Sequence, residues 1–428
     1  MVKCITLGKF DNKYKYMIYY ILTMLPLDYF LGDIFPDEMK IKYLRKDSLP
    51  NTVFVYEIFK YFGIFIFGLI FVKIEYNNNH TIKQHPNIES NASKMEMELL
   101  YDNEEQYPTI SVFSIVILIS SYILELKLNE LFCLFGLLGL DFWMTEIIFV
   151  IVINILLFKI KIYFHQKLAI SIILIFSTLM KISSIIFIYQ NDENLIFIKY
   201  SWLLYFGVIF FLLFFFLDAY ILCKMKWYFD FKFFSEKKLL TIFGICGSII
   251  FFILSIISHF IKCHVDTFSS TVCTVYDAEN SAKYFDNFKI YFKNIWKEDR
   301  TAFINCVYIF IILLKILLSS LHYFFSFLII KVLGPEYMVF SDSVLYFIIK
   351  IICLIYFIMM NTLKTDFIFD FLSQVFSILG TIIYLELIEL NFCNLNHNLK
   401  KYINLRAKFD CLETMGDDID EQSFEDII

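Results

Sequence analysis

Apolar runs recur along this chain at a length that a water-soluble fold does not use. The stretch 303–333, FINCVYIFIILLKILLSSLHYFFSFLIIKVL, carries only Lys315 and His322 as charged or imidazole side chains before Lys331 near its end. A helix needs about 20 predominantly apolar residues to cross the hydrocarbon core of a bilayer. Runs of this kind occupy 16–35, 53–76, 108–126, 131–158, 168–189, 200–224, 239–261, 303–333, 338–360 and 367–392. Their continuity excludes the alternating pattern of barrel strands, and backbone inside lipid must satisfy its own hydrogen bonds. The expected fold is therefore an all-α polytopic membrane protein with about ten transmembrane helices. The first run is the weakest, because Pro26, Asp28 and Asp33 interrupt it. Without it the count is nine.

Composition agrees. The 428 residues are 59% hydrophobic and 19% charged, whereas soluble domains sit near 45–50% apolar and about 25% charged. Intrinsic disorder is excluded by the same balance. The 52 Phe accompany an excess of Ile, Tyr, Asn and Lys and a shortage of Ala, Gly and Pro. AT-rich codon usage produces that bias, so the Phe content marks apolarity and not an aromatic site. The net charge of −6 excludes the basic stripe of a nucleic-acid partner. Acidity is concentrated around 96–105 and 417–426.

Charge placement organises the chain into a membrane half 1–189 with a polar insert at 77–107, a second half 190–393 with an insert at 262–301, and a segment 394–428 comprising an amphipathic stretch and an acidic tail. Lys3, Lys9, Lys13 and Lys15 precede the first apolar run with no small-residue cleavage site after it, which reads as a first span and not a removed signal. Lys159, Lys161, Lys167, Lys224, Lys226, Lys232, Lys237, Lys238, Lys400, Lys401, Arg406 and Lys408 fall on one side of a ten-span arrangement. That side is cytosolic by the positive-inside rule, as are both termini. Lys40, Lys42, Arg45 and Lys46 fall on the opposite side, against the rule. The sequons at Asn79 and Asn91 then face the cytosol and stay unglycosylated.

Ten cysteines are scattered, and Cys133, Cys223, Cys246, Cys306 and Cys353 lie inside apolar runs. There a thiol is an ordinary small core group. No CxxC or Cys/His metal spacing occurs, and neither a metal nor a cofactor is expected. Cys263 and Cys273 bracket the start of one insert and would form a disulfide if that insert is non-cytosolic.

No GxSxG, HExxH, P-loop or dinucleotide-binding loop is present, and the chain has only 12 Gly. An enzyme is not expected. Ionisable side chains within spans carry the functional information, because charge in hydrocarbon is costly and such groups face a cavity or a partner. They are Asp141, Glu146, Lys181, Asp218, His259, Lys315, His322, Asp342, Lys350, Asp370, Glu386 and Glu389, with Gln374 beside them. Glu125, Lys127, Asp218, His259, Asp342, Glu386 and Glu389 lie within a turn or two of expected helix ends, where polar groups reach the interface. Lys181, Lys315 and Lys350 are deeper and need an acceptor, either an acidic neighbouring helix or an anionic substrate. His322 follows Lys315 by two turns on the same face. The candidate substrate-binding set is Lys315, Lys350, His322, Glu146, Gln374 and Lys181. Close helix crossings are expected at Gly63/Gly68, Gly136/Gly139 and Gly244/Gly247, and at Ser319, Ser320, Ser373 and Ser377.

The segment FWMTEIIFVIVINILLFKIKIYFHQKLAISIILIFSTLMKISSI ends one helix in a short basic connector and starts the next after a Gln-containing turn. It resembles the fourth-to-fifth helix junction of the drug/metabolite transporter superfamily, especially its nucleotide-sugar transporter branch. GPEYMVFSDSVLYFIIKIICLIYFIMM and FLSQVFSILGTIIYLELIELNF resemble the last two helices of that family, and the likeness covers about a third of the chain. The resemblance implies two inverted five-helix halves, an ER, Golgi or other endomembrane location, and a secondary transporter. Its partners would be the lipid bilayer and a polar or anionic small solute, nucleotide-sugar-like, moved by alternating access. The chain departs from the family in lacking its Gly-rich or Lys-Thr substrate signature and in the length of both inserts. Two other readings stay open: a membrane-embedded lipid or glycan transferase using the acid pair Asp28 and Asp33, and a non-catalytic receptor or scaffold presenting the acidic tail.

Overall fold

A computed structural model describes residues 5–7, 14–31, 54–84, 112–134, 146–158, 162–191, 201–232, 234–260, 262–263, 275–277, 282–284, 292 and 302–390. Long helices dominate them. In chain order these are α1 (Lys15–Leu31), α2 (Val55–Gln84), α3 (Val112–Leu134), α4 (Glu146–Phe158), α5 (Phe164–Ile172), a π turn (Ile173–Ser177), α6 (Thr178–Asn191), α7 (Ser201–Lys232), α8 (Glu236–His259), α9 (Ala302–Val332), α10 (Pro335–Met359) and α11 (Thr365–Tyr384). Six stretches are long and apolar enough to cross a membrane: Val55–Ile74, Phe164–Ser184, Glu236–Ser258, Asn305–Val332, Pro335–Met359 and Thr365–Tyr384. α4 is a shorter apolar helix. The chain is thus an all-α, multi-pass integral membrane protein. On length and composition six spans qualify among the described residues, fewer than the ten expected.

Short strands accompany the helices. β1 (Ile5–Leu7) pairs antiparallel with β5 (Ile388–Leu390), with Thr6 opposite Glu389. β2 (Lys262–Cys263), β3 (Val275–Asp277) and β4 (Ala282–Tyr284) form a small sheet in the order β2-β4-β3 within the second insert. The first pairing has a topological consequence. The chain enters α1 and leaves α11 at the same face of the bundle, and this requires an even number of crossings.

Three boundaries differ from expectation, each for a local reason. α3 runs through Leu134, and α4 begins only at Glu146, whereas the apolar run suggested one helix over 131–158. Glu125 and Lys127 consequently lie within α3 instead of near its end. α2 continues into the polar insert as far as Gln84. α11 stops at Tyr384, because Glu386 takes a left-handed conformation (φ 59°) and Leu387 N–H donates to the Ile382 carbonyl at 3.0 Å. That six-to-one bond closes the helix. Glu386 and Glu389 therefore lie outside the last span. The α9–α10 junction follows the same rule: Gly334 (φ 129°) donates to the Ile329 carbonyl at 3.0 Å, and Pro335 opens α10.

The tightest pairing joins α2 to α8. Gly68 lies against the backbone of Thr241, Gly244 against the backbone of Phe65, and Gly247 against the Tyr61 ring. α1 packs on α9 and α10, α3 on α8 and α7, α4 on α7 and α10, and α11 on α5, the π turn and α6. Helices from before and after residue 190 are therefore interleaved. Tyr20, Tyr61, Ile64, Ile119, Phe243, Phe251 and Phe327 fill the interior. Leu22, Ile66, Leu156, Phe252, Phe310 and Ile358 point outward, a surface suited to lipid.

Candidate functional site

Two charged centres of opposite sign lie within the bundle. The first is built on α6, α10 and α11. Across the α6–α11 seam, Ser177 Oγ donates to the Ser373 carbonyl at 2.8 Å, and Ser373 Oγ donates back to the Ser177 carbonyl at 2.7 Å. Two turns along, Ser184 Oγ donates to the Asp366 carbonyl at 2.9 Å. The π turn before α6 brings Ser177 to this seam, and Gly380 lets α11 lie against the Ala169 carbonyl and Ile173. Held this way, Lys181 Nζ reaches Asp370 Oδ1 at 2.6 Å. From α10, Lys350 Nζ donates to Asp370 Oδ2 and lies 5.1 Å from the Phe367 ring centroid. Gln374 Nε2, one turn beyond Asp370, donates to the Ser343 carbonyl of α10 at 3.1 Å. Two ammonium groups share one carboxylate, which leaves one positive charge uncompensated among the described residues. Lys181 is buried and Lys350 half-buried. Charge removed from water in this way is expensive unless an anion completes it.

The second centre is acidic. Glu125 (α3), Glu146 (α4), Asp218 (α7) and Asp342 (α10) are acids carried by four helices, and Glu146 lies within electrostatic reach of the other three. Tyr20 of α1 donates its phenolic hydrogen to Asp342 Oδ1. The His322 ring of α9 lies tilted against Tyr20 with centroids 4.4 Å apart. Tyr122 of α3 is buried within electrostatic reach of Asp218, Glu125 and Asp342. Glu125 and Glu146 are only 3% and 4% exposed.

Ion pairs close one end of the bundle. Lys331 Nζ meets Glu236 Oε2 at 2.6 Å, joining the end of α9 to the start of α8. Lys226 Nζ donates to the Lys331 carbonyl at 2.8 Å. His165 Nε2 lies 3.2 Å from Glu386 Oε1, and Asn154 Nδ2 donates to Glu336 Oε1. The Gln-containing turn is ordered by Tyr163 N–H donating to Gln166 Oε1 at 3.0 Å. Away from that end, near the start of α2, Glu57 accepts from Lys60 at 2.5 Å and faces Lys127 at 3.7 Å.

Of the six residues chosen from sequence, Lys181 and Lys350 meet at Asp370, and Gln374 stands one turn away. Glu146 and His322 belong to the acidic centre. Lys315 is buried on α9, two turns before His322. Cys263 lies in β2, while its expected partner Cys273 lies outside the described residues. Asp28 is in α1 and Asn79 in α2, whereas Asp33, Asn91 and Asp141 lie outside the described residues. Sequence reasoning passed over Glu125, Asp218 and Asp342, whose positions near expected helix ends marked them as interfacial. It singled out neither Tyr20 nor Tyr122, which are hidden among 28 tyrosines. Among the described residues no group of three or more His, Cys, Asp or Glu side chains could hold a metal ion.

No protein-family model matches the chain, and no curated protein matches it.

Proposed function

We propose that this chain is a secondary transporter of a polar, anionic small solute, nucleotide-sugar-like, working by alternating access in an endomembrane. One observation carries the reading: Lys181 and Lys350, from two helices, converge on the single carboxylate of Asp370. A phosphate or carboxylate of the solute supplies the missing negative charge. It takes one ammonium from Asp370 while the other stays paired, so neither lysine is stranded during the exchange. Arriving solute thereby loosens the α6–α11 and α10–α11 contacts made through Asp370, and its departure restores them. The resemblance of the α4–α5 junction and of α10–α11 to nucleotide-sugar transporters supports the same class. Ten crossings in two inverted halves suit it as well. α1, α3, α4 and α7 pack among the six qualifying spans, and the β1–β5 pairing favours an even count.

The test is uptake by proteoliposomes across a panel of nucleotide sugars, organic phosphates and carboxylates. Lys350→Gln and Lys181→Gln are expected to abolish uptake while the protein stays folded, Lys350→Arg to retain part of it, and Lys315→Ala to reduce it. Normal uptake by both glutamine variants would remove the anion site.

A further inference from the structure

We infer that the outward face of α7, where Lys224 and Lys232 flank Trp227, binds the headgroup phosphate of an anionic phospholipid whose acyl chains lie against α7 and α4. The site is separate from the lysine–aspartate centre and does not depend on the proposed function.

The face is a stripe. Ile209, Leu213, Phe216, Tyr220 and Phe231 of α7 are between 40% and 68% exposed. With Lys224 and Trp227 they recur at steps of three and four residues, which puts all seven on one side of the helix. α4 borders this side: Phe149 meets Phe216 edge-on at 5.8 Å, and Phe158 stacks on Phe231 at 6.1 Å. Val152 and Leu156, on the Phe149 side of α4, are exposed as well. Facing lipid, an apolar stripe of this kind is ordinary. A lysine within it is not.

The Lys224 ammonium lies 4.1 Å from the Trp227 ring centroid and 5.9 Å from that of Tyr228. Lys232 brings a second ammonium to 5.6 Å from the same indole. The acids at this end are engaged elsewhere, Asp230 with Lys226 at 3.0 Å and Glu236 with Lys331 at 2.6 Å. Among the described residues neither Lys224 nor Lys232 has a carboxylate partner. An aromatic face attracts an ammonium but supplies no anion. Two cations on one ring repel each other, and a phosphate between them removes that repulsion.

The setting names the source of the phosphate. Tryptophan favours the headgroup level of a bilayer, so Trp227 places both ammonium groups at that depth. A zwitterionic headgroup brings its own cation, whereas an anionic one meets both lysines with net negative charge. Anionic lipids enrich the cytoplasmic leaflet, the side to which the positive-inside rule assigns this lysine-rich end. A soluble phosphate would use the two lysines and leave the adjoining apolar stripe uncovered. A phospholipid uses both.

The test uses the full chain with Trp143→Phe, Trp202→Phe and Trp296→Phe, which leaves Trp227 as the remaining tryptophan, reconstituted in phosphatidylcholine vesicles. Phosphatidylglycerol brominated on its acyl chains should quench Trp227 with at least about fivefold the apparent affinity of brominated phosphatidylcholine, the factor equivalent to about 1 kcal/mol for one lysine near the surface. Lys224→Gln combined with Lys232→Gln should abolish the preference. Lys238→Gln, which removes an exposed lysine just past the same turn, should leave it intact. Native mass spectrometry of the unsubstituted protein, taken from vesicles holding both lipids, should show phosphatidylglycerol retained in preference, whether or not the variants fold. Equal quenching and equal retention of the two lipids overturn the inference. An equal loss in Lys238→Gln also overturns it, because the attraction would then belong to a diffuse basic surface. Relief of the quenching by soluble glycerol 3-phosphate overturns it too, by assigning the lysines to a free phosphate.

Discussion

At Asp370 one carboxylate serves two ammonium groups, and the consequences of losing any of the three differ in kind. Asp370→Asn strands Lys181 and Lys350 together in the bundle, and breaking a buried pair by removing one partner costs about 3–5 kcal/mol. Lys350 retains some access to solvent, so about 3 kcal/mol is expected. Lys181→Met leaves a balanced pair of Lys350 and Asp370 and should cost much less. Thermal unfolding of the purified variants checks the order, and equal losses would mean that the shared carboxylate is not what holds the lysines. The two lysines were readable from sequence because Ile348, Ile349, Ile351 and Ile352 flank Lys350 and nothing polar excuses it. Their partner was recognisable as an intramembrane acid but not as theirs, since pairing depends on the π turn and on Gly380, and neither leaves a sequence pattern. Glu125, Asp218 and Asp342 were misread for a related reason. A helix that continues past its apolar run moves an apparent end residue into the interior, as α3 does with Glu125.

Element packing in lipid has no hydrophobic drive between helices, so close approach depends on small residues. At the α2–α8 seam a Cβ added at Gly244 would strike the backbone of Phe65, whereas at the α2–α9 contact one added at Gly63 would meet the Cγ2 methyl of Ile316. Backbone cannot give way and a methyl group can. Gly244→Val is therefore expected to cost about 3 kcal/mol or more, at the upper end of overpacking penalties, and Gly63→Ala less, about 1–2 kcal/mol, because Ile316 must turn to make room. Melting temperatures in detergent separate the two, and similar values would place the seam elsewhere. The glycine pairs that sequence spacing marked for close crossing do lie at crossings wherever they are described. Gly380 was not marked, because it stands alone and its partner surface is a carbonyl exposed beside the π turn. A second prediction belongs to this scale. Ser177→Ala combined with Ser373→Ala removes the reciprocal bonds across the α6–α11 seam, each worth about 1 kcal/mol. If the seam positions Lys181, the double variant should weaken solute binding more than Lys167→Ala, an exposed change on α5, does.

For the molecule as a whole, orientation follows from two independent facts. The β1–β5 pairing places the start of α1 and the end of α11 on one face. The bonds Lys331–Glu236 and His165–Glu386 join that face to the α7–α8 turn, the α9–α10 turn and the start of α5. Lys167, Lys224, Lys226, Lys232, Lys237 and Lys238 lie on these same helix ends, so the positive-inside rule predicts that this face is cytosolic. The turn between α10 and α11 is then on the opposite side, with Thr362 exposed there and Asp230 exposed on the cytosolic side. In a cysteine-free background and right-side-out vesicles, Thr362→Cys should react with a membrane-impermeant maleimide, and Asp230→Cys should react only after permeabilisation. The sequons at Asn79 and Asn91 should leave the protein's mass unchanged by glycosidase, because the ten-span reading puts the insert that holds them after a second crossing and on the cytosolic side. Glycan at either position would require an odd number of crossings before the insert, and labelling of both cysteines from one side would require an even number between the two turns. The second result would contradict the Lys331–Glu236 bond, which holds the α7–α8 and α9–α10 turns at one face.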